Sequence, residues 1–166
     1  MKKIIALLLA ALLTVSVGVC ALAEPVILTD QVGREVTVEE VPSRIVSGYY
    51  ISSSALIALG VQDRIVGIEA KAAKRPIYAC SAPELIALPN VGSAKEFNLE
   101  GCIALKPDLV ILPKKLKDAA ATLSELGIPV LLVNPESQEN LEDMIALLGE
   151  ATGTEERAAE LLGYID

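Results

Sequence analysis

Histidine and tryptophan are absent from all 166 residues, and phenylalanine occurs once, at Phe97. Without histidine, neither a Ser-His-Asp nor a Cys-His catalytic arrangement can be assembled, and every histidine-containing zinc site is excluded. Phosphate-binding glycine turns are missing as well, since neither G-x-G-x-x-G nor G-x-x-x-x-G-K-[ST] occurs. Ser47-Gly48 is too short to stand in for one. Ser52-Ser53-Ser54 has no base to activate a hydroxyl, and Glu100 and Asp108 lack a pairing motif. Positive charge is scarce: 14 Lys and Arg stand against 22 Asp and Glu, a net charge of −8. Nucleic-acid binders carry a basic footprint, so the acidic body argues against nucleic acid as a partner. With so few aromatic rings the core must come from Leu, Ile, Val and Ala, a composition that suits helices layered on a buried sheet.

The amino terminus carries a different signal. Lys2 and Lys3 precede an apolar run from Ile4 to Leu13, and Ala21-Leu22-Ala23 forms a small-residue cleavage site. Residues 1–23 therefore read as a secretory signal peptide. The apolar run is too short for a membrane span of ~20 residues. Val17-Gly18-Val19-Cys20 is also similar to a lipoprotein box, so Cys20 is either removed with the leader or becomes a lipid anchor. Both readings put the protein across the cytoplasmic membrane, in the periplasm or on the cell surface. Cys80 and Cys102 remain where a disulfide is permitted; the alternative is two small buried hydrophobes.

From residue 24 onward the pattern is one of short strands and helices. Val26 to Asp30 and Arg34 to Val38 flank Gln31-Val32-Gly33 and predict a hairpin. Continuous apolar runs follow at Ile45 to Gly48, Ile65 to Glu69, Leu109 to Leu112 and Ile128 to Val133, with a weak one at Asn90 to Gly92. Runs without alternation are expected of strands buried on both faces. Helices are expected at Ala55 to Leu59, capped by the three serines, and at Glu84 to Leu88 behind Pro83. Others are expected at Leu99 to Leu105 behind Asn98, and at Lys115 to Leu126 closed by Gly127. Ser137 should cap a helix through Leu148, and Thr154 one still running at Asp166. The expected fold is α/β: an N-terminal β-hairpin, then a doubly wound parallel five-stranded sheet with helices on both faces, right-handed throughout. The last helix shows no stop signal, which predicts a fragment whose continuation is missing.

Open α/β sheets bind ligands beyond the carboxyl ends of their strands. That rule selects Tyr49 to Ser52, Ala70 to Tyr78, Ser93 to Asn98 and Pro113 to Lys115. Eight basic residues fall between Lys71 and Lys117, against Glu84, Glu96, Glu100 and Asp108. A positive rim on a negative body focuses anions. The candidate ligand-binding residues are Tyr49, Tyr50, Lys71, Lys74, Arg75, Lys95, Phe97, Lys114 and Lys115. The aromatic members offer flat faces for stacking. Solvated lysines at helix ends and loop aromatics packed beneath helices are the competing reading. No cluster of metal-ligand spacing occurs in these loops, so direct metal ligation and a bound cofactor are not expected.

Several stretches resemble the metal-chelate substrate-binding proteins of ABC importers. They are Thr29 to Val36, Pro42 to Ser47, Ala58 to Gly67, Val91-Gly92, Asn98-Leu99-Glu100 and Ala104 to Val110, in the family's order. The resemblance implies a non-enzymatic protein that binds a ferric siderophore, or alternatively haem, cobalamin or another metal complex, and hands it to a membrane permease. It implies two α/β lobes joined by a long helix. Residues 24–153 would then be the N-terminal lobe and 154–166 the start of the interlobe helix, with the second lobe absent. The family docks on permease arginines through a glutamate that corresponds to Glu100. The expected partners are the chelate and the permease, and the chain is expected to be a monomer. An α/β enzyme acting on a nucleotide or sugar, and a single-lobe structural or sensing protein, are the rival classes.

Overall fold

The computed structural model describes residues 25–165; the leader sequence and Cys20 lie outside them. The chain opens with a hairpin, β1 (Val26–Thr29) and β2 (Glu35–Val38), paired antiparallel with Val26 opposite Val38. Its turn is held by Asp30, whose Oδ1 accepts from the backbone N–H of Val32 and of Arg34. Gly33, at φ 82°, supplies the left-handed position that the reversal needs.

The remaining strands are β3 (Ile45–Ser47), β4 (Ile65–Ile68), a two-residue pair β5 (Gly92–Ser93) and β6 (Glu96–Phe97), β7 (Leu109–Pro113) and β8 (Val130–Val133). The main sheet has the order β4-β3-β7-β8 and is parallel throughout. Alternate residues of β3, β7 and β8 feed different cores. Ile45, Ile111 and Leu131 join Leu56 and Leu148 on one face. Val46, Val110 and Leu132 join Cys102, Ala120 and Leu123 on the other. A strand with an apolar layer on each side has no polar position to spare, which is why its sequence reads as a continuous run.

The sheet has four strands where five were expected. Asn90 to Gly92 does run beside β4, but it makes a single parallel bridge, Asn90 to Ile68. Three hydrogen bonds mark that contact: Ile68 N–H to Pro89 O, Val91 N–H to Ile68 O, and Ala70 N–H to Gly92 O. Gly92 then turns left-handed at φ 87° and carries the chain into the antiparallel β5–β6 pair, so no ladder can grow. A side chain there would collide with the Glu96 carbonyl, so only glycine fits.

At the other edge, β8 would expose a row of backbone groups. The hairpin turn covers them. Gln31 N–H donates to Leu132 O, Asp30 Oδ2 accepts from Leu132 N–H, and Arg34 donates to Val130 O at 2.8 Å. Such coverage blocks strand addition by another chain.

Six α-helices are described: α1 (Tyr50–Ala58), α2 (Pro76–Ser81), α3 (Leu99–Ala104), α4 (Lys117–Glu125), α5 (Gln138–Thr152) and α6 (Glu155–Leu162). Asn98 and Ser137 cap as expected, accepting from Gly101 N–H and Asn140 N–H. Gly127, at φ 78°, ends α4. Other boundaries moved. α1 starts five residues early, and its serines are internal. Pro83–Ala87 is a 3₁₀ turn, while an α-helix occupies part of the segment expected to be a loop, Ala70 to Tyr78. Thr154 makes no capping hydrogen bond with its side chain. α6 closes at Leu162, because Tyr164 and Ile165 bond back three residues and tighten the final turn.

Two arginines tie the helix ends together. Arg64 donates to Thr152 O at the end of α5, and Arg157 of α6 donates to Ala58 O at the end of α1. Where α5 and α6 cross, a Cβ on Gly149 would stand 2.5 Å from that of Ala158, so the close approach depends on this glycine. Cys80 is an exposed thiol and Cys102 a buried one, both free; the disulfide alternative does not hold.

Candidate functional site

Ser47 ends β3 at the carboxyl edge of the sheet, and the chain passes through Gly48 and Tyr49 straight into α1. Burial leaves the hydroxyls of this helix start without water, so they pair with each other. Ser47 Oγ lies 2.8 Å from both Ser52 Oγ and Ser53 Oγ. Ser52 also donates to Tyr49 O. The serine cluster expected to cap the helix therefore fastens it to the strand end from inside.

Glu69 follows β4 directly on the same edge. It is 6% exposed, and a carboxylate so buried must be hydrogen-bonded. Its Oε1 accepts from Tyr78 Oη at 2.9 Å and from Arg75 Nε at 3.3 Å; its Oε2 accepts from Ser53 Oγ at 3.2 Å. Burial, above all, pushes the Tyr78 phenol up, and the Glu69 charge adds to it, so Tyr78 stays protonated and donates. Arg75 extends from this anchor over Tyr50, with its guanidinium carbon 3.9 Å from the ring centroid. Tyr49 meets Tyr50 edge-on, centroids 5.3 Å apart. Burial raises the Tyr49 phenol, and the neighbouring Tyr50 and Glu136 act in the same direction.

Tyr49, Tyr50, Glu69 and Arg75 line an open cavity of about 180 Å³ that also takes in Gly48, Ala70, Lys71, Ser93 and Ala94. The fold thus brings Tyr49, Tyr50, Lys71 and Arg75 together from the expected set. Lys74, Lys95 and Lys115 are exposed and outside its lining. Lys114 pairs with Glu136 at 3.0 Å, on the Tyr49 side. Phe97 is half-buried against the Val46 and Leu112 core and supports the wall beneath Gly48. Glu100 is exposed in the first turn of α3. Glu69, Tyr78 and Glu136 were not singled out by sequence reasoning, and Ser53 only as part of a helix cap. For Glu69 a signal existed: a lone carboxylate closing an otherwise apolar strand, six residues before an arginine. Among the described residues no three Cys, Asp or Glu side chains gather as a metal site.

A larger hollow of about 540 Å³ sits at the opposite edge of the sheet, between Glu35, Glu39 and Glu40 of the hairpin and Asp108, Ser124 and Pro129. It faces the amino ends of β7 and β8, away from the end where α/β sheets carry their ligands.

A parallel sheet with helices on both faces, opening at its carboxyl edge into an aromatic and basic cavity, is the α/β architecture of periplasmic binding proteins. The family profile described as "Periplasmic binding protein" matches residues 45–166, and the chain belongs to that family. It is 32% identical over 143 residues to the uncharacterised ABC transporter substrate-binding lipoprotein YvrC of Bacillus subtilis, spanning 83% of this chain and 43% of that one. It is 31% identical over 140 residues to the molybdate-binding protein MolA of Haemophilus influenzae, spanning 82% and 39%. Among solved structures, a periplasmic solute binding protein from Veillonella parvula superposes with a TM-score of 0.75 at 29% identity, over 84% of this chain and 44% of that one. Staphylococcus aureus SirA, complexed with staphyloferrin B, superposes with a TM-score of 0.69 at 26% identity, over 84% and 46%. The chain spans about two fifths of the length of the curated relatives it matches. The family and these neighbours are binding proteins, in line with the non-enzymatic role expected from the sequence.

Proposed function

We propose that this protein is the extracytoplasmic substrate-binding component of an ABC importer and that it takes a metal chelate, a ferric siderophore in the first instance. The observation that carries the reading is the cavity at the carboxyl edge, where the Tyr50 ring, the Arg75 guanidinium and Lys71 converge. A chelate arrives with its metal already coordinated. The protein then needs flat faces and positive charge to match the chelate's shape and anionic oxygens, and these are the groups present. The substrate-binding relatives, and the siderophore complex of the structural neighbour, support the same class. Haem and cobalamin are the alternatives within it.

In this reading residues 24–153 form one lobe, and the segment from Thr154 begins the helix that leads to a second. Residues 1–23 direct export, with Cys20 as the lipid anchor in the alternative reading. Glu100, at the start of α3 and exposed, meets a permease arginine, and the protein works as a monomer. Calorimetric titration with ferric siderophores, haem, cobalamin and sodium molybdate tests the assignment. Saturable binding of a ferric chelate, weakened by Arg75→Ala, is the expected result. Binding of molybdate alone, or tight binding of bare ferric ion without a chelator, would overturn it.

A further inference from the structure

Arg75 is held in an unusual way for a residue at the mouth of a cavity. One face of its guanidinium is covered by the Tyr50 ring at 3.9 Å, and its Nε is fixed by Glu69 at 3.3 Å. Its two terminal nitrogens have no hydrogen-bond partner among the described residues, and they remain as the free end of the group. Glu69 is in turn locked by Tyr78 and Ser53, which leaves the carboxylate no freedom to follow a moving arginine. The charged groups lining the cavity are Glu69, Lys71 and Arg75. The buried carboxylate therefore leaves the lining with one net positive charge while it fixes Arg75 in place.

We propose that Glu69 is the positioning and charge-setting residue of this cavity: it pins Arg75 on Tyr50 and restricts the site to chelates of low negative charge. The proposal rests on the reading of the cavity as the ligand site. Fixing a long side chain before binding removes an entropy cost that every ligand of the same footprint would otherwise bear. Cancelling a charge acts differently, because its effect grows with the charge on the ligand. The two contributions can be separated by comparing ligands that differ in charge.

The test uses the full protein, Glu69→Ala, Glu69→Gln, Arg75→Gln and two probes, ferric citrate as the anionic chelate and a neutral ferric trihydroxamate. Glutamine preserves the size of the side chain and can still accept from Tyr78, and melting temperatures verify that each variant folds. Without ligand, the ¹⁵N signal of the Arg75 Nε–H, assigned by its loss in Arg75→Gln, should be slow to exchange in the wild type and fast in Glu69→Ala, which removes the acceptor oxygen that glutamine keeps. With ligand, Glu69→Gln should weaken the neutral chelate and raise the preference for ferric citrate about tenfold, while Arg75→Gln should lower that preference by a similar factor. An Nε–H that stays protected in Glu69→Ala overturns the positioning role whatever the ligand. An unchanged preference in Glu69→Gln beside a lowered one in Arg75→Gln overturns charge setting and leaves the cavity reading intact. Binding unaffected by Arg75→Gln rejects the cavity itself. Should Glu69→Gln fail to fold, Arg75→Gln still decides the matter, since an unaltered preference there removes the charge Glu69 is said to balance.

Discussion

Asp108 accepts from both the backbone N–H and the hydroxyl of Ser43, 65 residues away, through Oδ2 at 2.8 and 2.9 Å. Its other oxygen accepts from Arg44 N–H at 2.8 Å, and Arg44 returns to the carbonyls of Leu105 and Lys106. The entries to β3 and β7, the two central strands, are thereby locked side by side. Arg44 also satisfies the end of α3, where Lys106 sits left-handed at φ 49°, a conformation that side chains disfavour.

Asp108→Ala should therefore destabilise the protein by about 2 kcal/mol, since it removes charge-assisted hydrogen bonds and orphans two backbone donors. Urea unfolding followed by circular dichroism measures this. Ligand affinity should not change, because Asp108 lies at the edge of the sheet away from the cavity. A loss below about 0.5 kcal/mol would show that water replaces the carboxylate freely.

The two thiols should differ in reactivity. Burial in the second core pushes the Cys102 thiol up to about 11, while Cys80 is exposed on α2. An alkylating reagent at pH 8 should label Cys80 in the native protein and Cys102 only after unfolding, as read by peptide mass mapping. The same shift has a consequence for stability. The unfolded chain releases the Cys102 proton from about pH 9 and the folded chain from about pH 11, so this contribution is intact below pH 9 and lost as pH rises to 11. Cys102→Ala should flatten the alkaline part of the stability curve. An unaltered curve would mean that the thiol opens to solvent before it ionises.

Alanine substitutions in the basic rim should fall into two groups. Lys71→Ala and Arg75→Ala remove cations that line the cavity and should weaken an anionic chelate tenfold or more, as expected of charge-assisted bonds worth ~1.5–3 kcal/mol. Lys74→Ala, Lys95→Ala and Lys115→Ala remove exposed charges outside it and should change affinity less than about twofold. Lys114→Ala breaks an exposed pair with Glu136 and belongs with the second group. Calorimetry with ferric citrate separates them, and an even spread of effects over all six would mean that the rim attracts the ligand only at long range.

Glu100→Gln separates docking from helix stability. The side chain lies in the first turn of α3, where a carboxylate is favoured by the helix dipole, worth roughly 0.3–1 kcal/mol. If that is its whole role, the variant loses a little stability and transports normally. Docking on a permease arginine instead requires unchanged ligand affinity with reduced uptake. Uptake equal to wild type, in a strain that depends on this protein, would remove the docking assignment.

The parallel strands were legible because burial on both faces leaves no room for polar residues, and that constraint is written directly into runs such as Leu109 to Leu112. The caps at Asn98 and Ser137 were legible because a cap acts over three residues. Local rules also placed Tyr49, Tyr50, Lys71 and Arg75 at the carboxyl edge of the sheet, where the structure has them. They failed where the decision was made at long range. The serines after Tyr49 look like a cap in sequence; they lie inside α1 because Ser47 and Glu69 offer buried partners there. Asn90 to Gly92 reads as a strand, but a left-handed glycine diverts it after one bridge. Composition and periodicity determined the fold class and which residues lie at the carboxyl edge of the sheet. Which cations face the cavity, and that a buried glutamate holds one of them over a tyrosine, was decided only when tertiary packing brought β3, β4, α1 and α2 together, since a burial cost and its compensating partners exist only between segments in contact.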